Sequence, residues 1–151
     1  MQGFDLFVGS FDEICRSCAE GVLDDYREGQ PEDHHVAFPP SFSPSHILQL
    51  GAAVTSLTGV EGDFGNDSDR RELEGCLFAD RLTADWVLAT SALPFDVAEE
   101  LKTRWTAACV ADEGEEPPWA QEAQREVLVR FLALCKAAAR EKSDLVMVWE
   151  L

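Results

Sequence analysis

Cys15 and Cys18 flank Arg16 and Ser17, the CxxC spacing of a thiol redox pair or of half a zinc site. A redox pair needs its first cysteine at a helix N-terminus, where the peptide dipoles lower the thiol pKa. Here Ser10 and Glu13 form a capping box that starts a helix earlier, so Cys15 falls in the second turn and both sulfurs lie on the apolar stripe. Zinc would need a second close ligand pair, and Cys76, Cys109 and Cys135 are single and remote. An odd number of cysteines spread over helices and a strand reads as buried, reduced thiols. His34 and His35 follow Glu32 and Asp33, with His46 the remaining histidine, a set with metal-ligand types but no helical ligand spacing. Adjacent side chains in a loop point apart, so this stretch reads as a solvated loop.

Asp63, Asp67, Asp69 and Glu74 approximate a calcium loop until the register is tested. Counted from Asp63, the third position is Gly65 and the sixth is Ser68, where a ligand and a glycine are required. Gly59, Gly62 and Gly65 recur every third residue, but Glu61 and Asp63 between them would repel a phosphate. No GxSxG elbow is present, and carboxylates are so abundant that nominating any pair as acid and base carries no information. The sequence therefore assigns no catalytic residue, no metal and no cofactor.

The carboxylates do carry information as a total. Asp and Glu number 29 against 12 Lys and Arg, a net charge of -17 on 151 residues, beyond the ~2 to 8 units that keep a small domain soluble. Such a field repels nucleic acid and anionic membranes and attracts cationic partners, over a distance that shrinks as salt rises. One acidic segment holds Asp24, Asp25, Glu28, Glu32 and Asp33, a second Glu61, Asp63, Asp67 and Asp69, and a third Asp112, Glu113, Glu115 and Glu116. Trp119 follows the third after two prolines, placed as a hydrophobic staple or as an aromatic anchor beside the acidic patch. The functional expectation is a non-enzymatic protein that binds and masks a basic protein, as an immunity protein or antitoxin masks a nuclease or a nucleic-acid mimic masks a DNA-binding surface. The first and third segments and Trp119 would be its binding residues. The alternatives are a small enzyme or ligand-binding domain with a site of dispersed residues near His46, and a scaffold that dimerises through amphipathic helices.

These residues need a framework. Apolar residues make up 46% and charged residues 27%, so the acidity has not displaced a core, and the length suits one domain. Residues 4–8 read as a strand feeding a helix with Phe11, Ile14, Cys15, Cys18 and Val22 on one stripe. Residues 24–44 read as a long surface connection without regular structure. Ser43 and Pro44 open a helix that Gly59 stops, and residues 70–74 suggest a turn of helix before a strand at 76–79. Thr83 caps a further helix, Pro94 opens one with Val97, Leu101, Trp105 and Cys109 inward, and residues 112–118 read as an exposed loop. The clearest helix runs from Trp119 to Ala138, and residues 145–149 form an apolar run suited to a central strand. The expected fold is α+β: one small sheet that includes the terminal strands, packed by four to five helices. No signal-like N-terminus and no 18-residue apolar run is present, so a cytosolic protein is expected, with no membrane contact.

Overall fold

A computed structural model of the protein describes residues 4–39, 42–62, 70–73, 77–114, 116 and 121–150. Strand β1 (Phe4–Gly9) pairs antiparallel with β5 (Asp144–Glu150), from Phe4 opposite Trp149 to Gly9 opposite Asp144. The other side of β5 pairs with β4 (Leu77–Arg81), and the outer strands are β2 (His35–Phe38) on β1 and β3 (Arg70–Glu72) on β4. The sheet order β2-β1-β5-β4-β3 puts the apolar run of β5 at its centre, as the sequence predicts. Strand periodicity then divides the side chains. Leu6, Val8, Val36, Phe38, Leu145 and Met147 face one helical layer, and Phe7, Ala79, Val146 and Val148 face another.

The thinner layer holds α1 (Phe11–Ala19) and α2 (Leu23–Glu28), which close over the second face with Phe11, Ile14, Cys15, Leu23 and Tyr26. Ser10 caps α1 through its side chain, and the N–H of Phe11 donates to Asp144 Oδ2 (3.1 Å), so the start of β5 also anchors α1. The thicker layer holds α3 (Pro44–Thr58), α4 (Ala84–Ser91), α5 (Ala98–Glu113) and α6 (Gln121–Glu141). Ser43 and His46 form a reciprocal capping box around Pro44, and Gly59 ends α3 at φ 73°, a left-handed conformation that favours glycine. Trp86 and Trp105 are fully buried between these helices, their indole N–H groups donating to Thr55 Oγ1 (3.2 Å) and to the His46 carbonyl (2.8 Å).

One charged side chain sits entirely within the fold. Asp80 of β4 has no exposed surface and accepts from Arg70 Nε (2.7 Å) of β3 and from Trp149 Nε1 (2.7 Å) of β5. The guanidinium also lies over the rings of Trp149 (5.1 Å) and Phe78 (5.8 Å). A buried carboxylate survives only with such partners, and here they tie the three strands of one sheet edge together.

Several expectations need correction. Residues 24–44 are not devoid of regular structure: they contain most of α2, a 3-10 turn (Glu32–His34), β2 and the start of α3. A six-residue helix and a four-residue edge strand are too short to show a period. Arg70 to Glu72 is a strand, not a helical turn, because pairing with β4 and the Asp80 contact override local preference. Asp112 and Glu113 belong to the last turn of α5, which ends at Gly114 (φ 80°), not to a loop. Val22 lies beyond α1, which is followed by the left-handed Gly21. Thr83 stands at the α4 N-cap without a side-chain cap bond. Six α-helices are present among the described residues, one more than the upper expectation. No described helix is long and apolar enough to cross a membrane.

Candidate functional site

Asp5 lies on the face of β1 that α2 covers and is only 7% exposed, so its carboxylate requires partners. His35 of β2 supplies one, Nε2 to Oδ1 at 2.7 Å, and Arg27 of α2 another, Nη2 to Oδ2 at 3.1 Å. Arg27 also binds Asp24 (2.7 Å), and Phe7 stacks on the His35 ring, with centroids 4.7 Å apart. Leu23, Tyr26 and Arg27 thus turn inward, and the same helix presents Asp25 and Glu28 to solvent.

In the 3-10 turn that follows, His34 stands between two carboxylates, Nδ1 to Asp33 Oδ1 and Nε2 to Glu141 Oε2, both at 2.6 Å. A carboxylate only accepts, so both contacts are satisfied together only in the imidazolium form, with a proton on each ring nitrogen. The hydrogen bonds to Glu141 and Asp33 raise its pKa above the ordinary 6.5. Asp33 is held below the usual carboxylate range by His34 and by Arg140, whose Nη2 is 3.2 Å away. The solvated-loop expectation for His34 and His35 is therefore wrong: each side chain is 15% exposed and fixed by contacts to carboxylates.

The third histidine brings serine, histidine and glutamate together without making a catalytic set. His46 Nδ1 accepts from the backbone N–H of Ser43 (2.9 Å), and its Nε2–H faces Glu113 Oε2 (3.3 Å). No ring lone pair is left to act as a base. The Ser45 hydroxyl donates to Glu113, not to the imidazole, and this bond, followed by His46, lowers the Glu113 pKa.

Among the described residues, the first and third acidic segments lie toward opposite ends of α6. Asp33 is bound at the C-terminal turn of α6 by Arg140, whereas residues 112–116 precede its N-terminus, and Gln121 to Arg140 spans roughly 28 Å at 1.5 Å per residue. Asp24 and Asp33 pair with arginines inside the fold, and Glu113 accepts hydrogen bonds from Ser45 and His46. Asp25, Glu28, Glu32, Asp112 and Glu116 are exposed and make no ion pair among the described residues. Glu115 and Trp119 lie outside the described residues, as do Asp63, Asp67, Asp69, Glu74 and Cys76. Sequence reasoning used Glu13 only as a capping residue and passed over Glu20, the C-cap of α1, seven residues further on; both are exposed. The signal was available: a seven-residue spacing returns to one side of a helix.

Cys18 is not a thiolate, because burial, helped by Cys15 and Asp5, pushes its pKa up to about 11, and burial also raises Cys15. No cluster of three His, Cys, Asp or Glu side chains among the described residues has the arrangement of a metal site. One cleft of about 310 Å³ lies between α4 and α6 against Leu82, Val87, Leu88 and Ala138, with Lys142 and Asp144 at its edge. Its one carboxylate is committed to the N–H of Phe11. Comparison with protein-family models, with curated proteins and with solved structures finds no match for the chain.

Proposed function

We propose that the protein binds and masks a basic protein through the outer surface of α1, α2 and the 32–34 turn. The observation that carries this reading is that Glu13, Glu20, Asp25, Glu28 and Glu32, on these consecutive elements, are exposed and without ion pairs among the described residues, against one exposed cation, Arg16 of α1. Arg27, the cation of α2, is spent on Asp5 and Asp24. Carboxylates without internal partners give up no existing bond on docking, and their combined field speeds the encounter with a cationic surface. Val22, 38% exposed between the two helices, supplies an apolar contact within the acidic surround. Asp112 and Glu113, in the last turn of α5, are outside this surface. The reading is of a cytosolic protein that does not itself bind nucleic acid.

The test compares Asp25→Asn/Glu28→Gln/Glu32→Gln with Asp112→Asn/Glu116→Gln as bait in a native lysate, at low and at moderate salt. One basic protein held in stoichiometric amount at both salts, lost with the first variant and kept with the second, supports the reading. Retention that both variants share, or a crowd of basic proteins that all elute as salt rises, refutes it.

A further inference from the structure

We propose that His34 is a pH-operated latch: protonated, it fastens the 32–34 turn and edge strand β2 to the last turn of α6, and loss of the proton releases them. Asp33, His34, Glu141 and Arg140 form a ring of alternating charge, closed by Arg140 to Asp33 (3.2 Å) and to Glu141 (3.5 Å). A neutral imidazole has one N–H and can satisfy only one of the carboxylates that now lie 2.6 Å from its two nitrogens. The other carboxylate would then face a lone pair, and the ring, neutral as built, would become negative. The charged groups around the histidine are thus Asp33 on its own turn and Arg140 and Glu141 on α6, with Arg130 of α6 and Glu32 close by in the cleft that also touches Asp33.

Release acts on β2 because the turn runs directly into this edge strand, which is otherwise held by its pairing with β1, by His35 on Asp5 and Phe7, and by Val36 and Phe38 in the core. The strand is four residues long and pairs on one side only, with β1. Apart from core packing its tie to α6 is the bond from Arg130 Nη2 to the His35 carbonyl (3.0 Å). The direction follows from the raised His34 pKa: the latch is at full strength below 6.5 and weakens as pH climbs from there to the raised value. On the acid side Asp33 is held low, so its contribution persists until pH falls below the usual carboxylate range. The latch works in the free protein and does not depend on the partner proposed above.

The experiment follows the His34 imidazole by NMR across pH, together with hydrogen exchange of the 35–38 amides corrected for the intrinsic rate. His34 is expected to titrate above 6.5. The opening constant of β2 should rise above pH 6.5 and level off at the measured midpoint. The total rise should be about tenfold for each unit by which that midpoint exceeds 6.5. The β5 amides serve as the control and stay protected throughout. Glu141→Gln should bring the midpoint down and flatten the rise, and His34→Gln should abolish the pH dependence. A midpoint at or below 6.5, a rise unrelated to its displacement, or the same rise in His34→Gln overturns the latch.

Discussion

Arg70→Met isolates what the buried Asp80 carboxylate requires. In the native protein Asp80, wholly buried, is held by the guanidinium at 2.7 Å and by the Trp149 indole at 2.7 Å. Methionine keeps much of the aliphatic stem but removes the charge and leaves a desolvated anion with one of these two donors. Breaking a buried pair from one side costs about 3 to 5 kcal/mol, because the remaining charge is uncompensated. The Arg70 side chain is 28% exposed, so water reaches the vacated position and the lower end applies, about 3 kcal/mol. For a domain of this size that lowers Tm by roughly 6 to 12 °C. Urea denaturation followed by circular dichroism measures it. Adding Asp80→Leu removes the stranded charge and is expected to return stability to within about 1 kcal/mol of the native protein, since apolar replacement of a buried pair is often neutral. A single-variant cost below about 1 kcal/mol would mean that the pair behaves as an exposed one. A double variant no more stable than the single one would trace the loss to packing instead of charge.

Gly62→Ala places a Cβ 2.6 Å from Trp86 Cβ and should cost about 1 to 3 kcal/mol by overpacking, read as a fall in the urea midpoint with an unchanged m value. Ser43→Ala removes the side-chain half of the α3 capping box and should cost about 1 kcal/mol in the same assay. At pH 8 Cys18 should react with a thiol reagent on the order of 10²-fold more slowly than a free cysteine, because its pKa of about 11 leaves little thiolate. Cys135, fully buried, should react only on unfolding, so equal labelling of the two in native protein would contradict the packing.

Local pattern was enough for much of the framework. The start of α1 at Ser10, the α3 bounds from Ser43 to Gly59, the amphipathic stripe of α6 and the doubly apolar β5 all reside in short-range spacing, which constrains the backbone before any tertiary contact forms. The α+β class and the pairing of the terminal strands followed from those elements. The edge strands β2 and β3 and the short α2 did not, since three to six residues carry no period and their conformation is set by what they pair with.

The same division separates charge from site. Composition alone establishes the acidic excess, from which the proposal of a cationic partner starts. Which carboxylates are spent within the fold depends on contacts such as Arg140 with Asp33, 107 residues apart, and Ser45 with Glu113, 68 apart. Topology alone brings such residues together. It commits Asp24, Asp33 and Glu113 to internal partners and leaves Asp25, Glu28 and Glu32 facing water, because an ion pair depends on distance in space and a sequence records only distance along the chain.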